Sequence, residues 1–216
     1  MKTIIKRICI FLLLISLMSS GMTVKASHTD SRNNTPFTKA QCTLYKEQQK
    51  LWIDHVSWTH SYIISAIASL KDQDDVLQRL LKNQENIGNS IKSFYGEEAG
   101  NKLATLLKEH IVLAGKVLEA AKTNNKTELD QYNKQWYENA DQIAEFLSNA
   151  NPNYSKKELK NMLYTHLQYV TDQVVARLNS DWKADIRAYD KGEAHMIHFA
   201  DILAEGIIKQ FPDKFK

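Results

Sequence analysis

From Lys39 to the C-terminus, apolar residues recur three and four positions apart and never in alternation, which excludes a sheet and leaves only helices. Only 7 of the 216 residues are glycine and 3 are proline, so few positions can interrupt a long helix. The period predicts an all-α fold, a helical bundle of about seven helices.

The stretch Leu51 to Leu70 shows how such a helix is organised. At about 100° per residue, Trp52, Val56, Thr59, Ile63, Ala66 and Leu70 share one arc, the stripe of a core-facing helix. Asp54 and Ser61 point away from it. His55, Trp58 and Tyr62, three and four apart, run along one edge of the stripe. That edge reads either as a polar seam in the core or as the wall of a small pocket.

The layout returns in Leu163, Leu167, Val170, Val174 and Leu178, with His166 and Tyr169 in the edge positions of His55 and Trp58. A second echo aligns Gly96 to Ile111 with Gly192 to Ile207, with six of sixteen positions identical. The first copy is 15 residues longer between its histidine and its glycine, roughly four turns at about 3.6 residues each. These echoes predict an internal duplication, with copies at about 39–121 and 155–211 joined by a helix over 126–149, all in one domain spanning 39–216. The competing explanation is that amphipathic helices resemble one another by construction.

Residues 1–26 read as a signal peptide: Lys2, Lys6 and Arg7, then an apolar run from Ile8 to Met18, then Val24-Lys25-Ala26. The chain is therefore expected to be secreted or extracytoplasmic, with no stable membrane anchor after cleavage. The segment holds 4 of the 28 cationic side chains and none of the 25 acidic ones, so the formal charge falls from +3 to −1. An electrostatic case for nucleic acid as a partner disappears with it. Residues 27–38 are polar and aperiodic and read as a flexible arm. Cys42 has no second cysteine in the mature chain to bridge to.

The remaining helices follow from their breaks. The first ends at the Lys71 to Asp75 cluster, the second near Phe94, and Gly96 separates it from a third over 97–121. The fourth spans 126–149, and Ser155 with Glu158 forms a capping box for the fifth. A short sixth helix carries Trp182, Ile186 and Tyr189, Gly192 interrupts it, and a seventh closes at Pro212.

His195, His198 and Asp201 lie three apart, a pattern that can bind zinc or another transition metal if a neighbouring helix completes the shell. On the wheel His195 faces the core while Asp201 turns outward, so hydrogen-bonded core histidines are the competing reading. His60 is expected at the surface. His110 interrupts an apolar stripe, where an imidazole without a partner costs about 1–3 kcal/mol. A nucleophile elbow and a glycine-rich phosphate loop are both missing, and Asp72-Gln73-Asp74 reads as a helix cap.

The stretches Leu-Trp-Ile-Asp-His-Val-Ser-Trp-Thr59, Tyr-Gly-Glu-Glu-Ala-Gly100, Trp-Tyr-Glu-Asn-Ala-Asp-Gln-Ile-Ala144, Ala-Asn-Pro152, Met-Leu-Tyr-Thr-His166 and Gly-Ile-Ile-Lys-Gln-Phe211 resemble an uncharacterised family of small helical proteins from spore-forming Gram-positive bacteria. Its members often carry automatic labels such as glycosyltransferase or acetylglutamate kinase. The resemblance implies a helical fold, whereas the βα units those activities require are absent from this sequence. The residues point to an exported, non-catalytic binding or interaction module for a small ligand or protein, with a site built from His55, Trp58, His166, Tyr169 and His195. The alternative is a metal-binding protein or metal-dependent enzyme using the same histidines.

Overall fold

In the computed structural model, residues 36–216 are described; the expected signal peptide and most of the expected arm lie outside them. Six α-helices follow one another: α1 (Lys39–Ile67), α2 (Gln73–Ser90), α3 (Lys92–Lys122), α4 (Lys126–Ala150), α5 (Lys156–Leu178) and α6 (Trp182–Gln210), with a terminal 3-10 turn at Pro212–Phe215. The all-helical expectation holds across these residues.

The difference from seven lies at Gly192. It sits inside a continuous α6 and is buried, with the Tyr169 Cβ 3.6 Å from where its own would be. Flanked on both sides by good helix formers, one glycine costs about 1 kcal/mol and does not break a helix. Gly96 does interrupt the helical path, with φ 86 and ψ 170, a conformation that side-chain-bearing residues rarely adopt. The Ser155 hydroxyl accepts from the Glu158 amide as a cap, while the reciprocal box forms instead at Thr38 and Gln41 on α1.

Short turns make each helix antiparallel to the one before it, and side-chain pairs fix the registers. Gln84 of α2 reaches His55 of α1, Lys108 of α3 reaches Glu85 of α2, and Trp136 of α4 reaches His110 of α3. Lys160 of α5 pairs with Asp141 of α4, and Arg177 of α5 with Asp185 of α6. Asp201 and Tyr189 of α6 then meet Gln49 and Ser57 of α1, which closes the six helices into a ring. The interior holds Trp52, Ile63, Trp136, Leu159, Phe199 and Ile207, each 2 % exposed or less. In this ring the helix after Gly96 runs in the same sense as α1, whereas the second half of α6 runs opposite to α5, because α2 intervenes only in the first case.

Glycine sets the α2–α3 spacing. A Cβ on Gly88 would lie 2.4 Å from the Gly100 carbonyl oxygen and 2.7 Å from the Ala104 Cβ, so the two backbones approach as closely as they do only because the side chain is missing. Gly88→Ala is expected to lower unfolding stability by about 1–3 kcal/mol in urea titrations, the range for overpacking a tight core; an unchanged midpoint would mean that α2 and α3 are further apart.

Candidate functional site

α1 and α5 touch across the interior of the ring at one level, through their histidines. The Nε2 atoms of His55 and His166 are 3.2 Å apart, and the two residues are 2 % and 4 % exposed. The proton positions follow from Gln84. Its amide nitrogen gives its two protons to the Leu80 carbonyl at 2.9 Å and Asn83 Oδ1 at 3.1 Å and lies 3.3 Å from His55 Nδ1; an amide nitrogen cannot accept, so His55 Nδ1 meets it unprotonated. The His55 proton must then be on Nε2, donated to His166 Nε2, which leaves the His166 proton on Nδ1. That Nδ1 and Gln84 Oε1 are buried without a partner among the described residues.

His110 continues this seam. Its ring stacks against that of His166 at 6.5 Å between centroids. Its Nδ1 donates to Asn139 Oδ1 at 2.8 Å, and its Nε2 accepts from the Trp136 indole nitrogen at 3.0 Å. Asn139 in turn donates to the Leu106 carbonyl. The imidazole that interrupts the α3 stripe therefore has both nitrogens satisfied, and Trp136 is held in one orientation.

Burial in an apolar surround keeps all three rings neutral. It lowers His55 from the ordinary 6.5 to about 3, assisted by the nearby His110, and His110 to about 4. Burial likewise holds His166 well below its ordinary value, with His55 and His110 adding to the effect. Asp185 is the only buried carboxylate among the described residues, and it is engaged elsewhere: with Arg177 Nε at 2.6 Å and His60 Nε2 at 3.1 Å. His60, expected at the surface, is thus half-buried and ties α1 to α6.

The other sequence candidates take partners outside these three imidazoles, although His195 is near enough to His166 to add to the lowering of its basicity. Trp58 lies under the Arg79 guanidinium, 4.8 Å from its ring centroid. Tyr169 and His195 face each other edge-on at 5.6 Å, and His195 Nε2 donates to the Met162 carbonyl at 2.8 Å. The proposed metal triad is also dispersed: His195 turns to α5, His198 is exposed, and Asp201 accepts from Gln49 of α1 at 2.7 Å. Six residues along a helix amount to about 600°, so the first and last members point about 120° apart. No group of three metal-ligating side chains converges among the described residues.

Beside the seam, an opening of about 270 Å³ lies between α3, α4 and α5. Ala114 and Val117 line it from α3 and Val170 and Val174 from α5, one and two turns beyond His110 and His166 respectively. Trp136, the indole anchored by His110, forms part of the wall, and Asp130, Asn133 and Thr171 are its polar members. Sequence reasoning did not single out Asp130 or Asn133. Asp130, Asn133 and Trp136 are three apart and so fan over about 120° of α4; spacing alone gives no signal for them, and it is the packing of α3 and α5 against that arc that gathers them into one opening.

No known protein family, curated protein or solved structure matches this chain.

The three neutral imidazoles have a consequence for acid. Above pH 6.5 folded and unfolded chains carry no protons on these rings, so nothing is gained or lost there. Between 6.5 and about 4 the unfolded chain takes up protons that the folded one refuses, and stability falls as pH falls. At pH 5 the loss is about 2 kcal/mol each for His55 and His110, with His166 in the same direction. Urea unfolding at pH 7 and pH 5 checks this: a lower midpoint at pH 5 is expected, and a double His55→Leu, His166→Leu variant should show a weaker dependence.

Proposed function

We propose that the protein is an exported, non-catalytic binding module that takes a small apolar or aromatic ligand in the opening between α3, α4 and α5. The observation that carries this reading is Trp136: a large, 2 % exposed aromatic at the wall of the opening, locked by its bond to a doubly satisfied His110. A wall fixed before the ligand arrives loses little conformational freedom on binding. The opening, about 270 Å³ and lined chiefly by valine, alanine and leucine, suits one ring with a short chain.

The imidazole seam is the scaffold of this site. His55 and His166 close on each other, and their protonation states are set by Gln84, so neither is offered to a ligand. Export rests on the sequence of residues 1–26; among the described residues no helix is long and apolar enough to cross a membrane. The likeness between α1 and α5 is accounted for by two helices each contributing one imidazole to one contact, and a duplication is a further reading of the same echo.

Calorimetric titration with 2-phenylethanol tests the proposal. Saturable one-to-one binding is expected, abolished by Val174→Phe, which fills the opening while adding only apolar bulk. No heat beyond dilution, or binding unaffected by Val174→Phe, would overturn it. The alternative of a metal protein is separated by elemental analysis of untagged protein and melts with and without chelator; a stoichiometric ion whose removal lowers the midpoint would favour it.

A further inference from the structure

The opening between α3, α4 and α5 is not electrically neutral. Of its lining residues, Asp130 alone carries a charge, and no lysine or arginine lines it. Asp130 is exposed, and among the described residues no cation pairs with it; Lys134, one turn along α4, is turned to Glu138 instead. Thr171, the hydroxyl of the lining, donates to the Leu167 carbonyl at 2.9 Å within its own helix. A ligand entering this groove therefore meets an apolar interior, one amide and one free carboxylate.

The positions set a length. Asp130, Asn133 and Trp136 follow one another at three-residue intervals along α4, so the Cα atoms of the first and last are about 9 Å apart along the axis and about 120° apart around it, and all three line the same opening. A flat ring placed against the buried Trp136 and joined by a short chain to a polar group directs that group outward, to the exposed rim where Asp130 stands. The complement of a solvent-edge carboxylate is an ammonium, which keeps its remaining protons toward water and so avoids the desolvation that burying a charge would cost.

Resting on the reading of this opening as the ligand site, we infer that the ligand class is an aromatic or alkyl amine, its apolar end against Trp136 and its protonated nitrogen at the Asp130 carboxylate. A carboxylate-bearing ligand of the same shape is disfavoured by Asp130, and a neutral one gains only the apolar contact. Because the contact is exposed, the charge discriminates modestly and is weakened by salt.

Three probes of one shape test this by calorimetry on the folded protein at pH 7 and low ionic strength: 2-phenylethylamine, 2-phenylethanol and 3-phenylpropionate. The expected order is amine, alcohol, acid, with the amine about threefold to tenfold tighter than the alcohol, and Asp130→Asn bringing amine and alcohol together. Asp130 is on the surface, so this variant is expected to fold, and an unchanged melting midpoint checks that. Equal affinity of amine and alcohol for the unmodified protein, or a preference that survives Asp130→Asn, overturns the ligand class and leaves the binding site standing. If none of the three binds, the site itself is refuted, and the ligand class with it.

Discussion

Two imidazole nitrogens 3.2 Å apart at the centre of the ring fix much of what surrounds them. Two neutral rings can share one proton between facing nitrogens, whereas two charged rings in an apolar interior could not coexist there. The contact therefore demands a surround that keeps both rings neutral, and the structure supplies it: burial, a carboxamide that presents its nitrogen, and a buried carboxylate of α6 that is engaged instead by Arg177 and His60. Polar groups placed this way also specify register. Sliding α1 against α5 by one turn would part the two imidazoles, at a cost of about 1–3 kcal/mol for each buried nitrogen left without a partner.

The same seam reaches α4 through His110. Because its two nitrogens serve Asn139 and Trp136, the orientation of the indole is tied to the level at which α3, α4 and α5 cross. Two rings further along lies the apolar opening, so scaffold and proposed ligand wall belong to one chain of contacts: Gln84, His55, His166, His110, Trp136. What gives this bundle a usable surface is a polar core that cannot repack as freely as a purely apolar one.

The helices were legible in the sequence because period and break residues act locally. Thus the α5 stripe is buried from Leu163 to Val174 as its spacing predicts, and only Leu178 at the helix end is exposed. Where neighbours decide, the reading drifted. On α2 the buried residues are Leu80, Asn83, Gln84, Ile87 and Gly88, and the last of these lets α2 approach α3 closely. Gly192 was read as a break because a glycine's neighbours in space, here Tyr169 and Gln173, are invisible along the chain. His55 and His166 were placed on one edge each, and the fold brings them together. Trp58 and Tyr169 share that edge on the wheel and His195 faces the core, yet Trp58 is claimed by Arg79, Tyr169 by His195, and His195 by a backbone carbonyl. Spacing gives the direction in which a side chain leaves its helix, and only the packing says which partner takes it.

The central claim is that His55, His110 and His166 are uncharged in the folded protein well below the pH at which an ordinary imidazole protonates. Nitrogen-15 spectra of the histidine rings, recorded on the folded protein from pH 7.5 down to 5, read this directly. The account predicts three rings that stay neutral throughout, with the proton on Nε2 in His55 and on Nδ1 in His110 and His166. Protonation of any of the three buried rings above pH 6 without unfolding would contradict it.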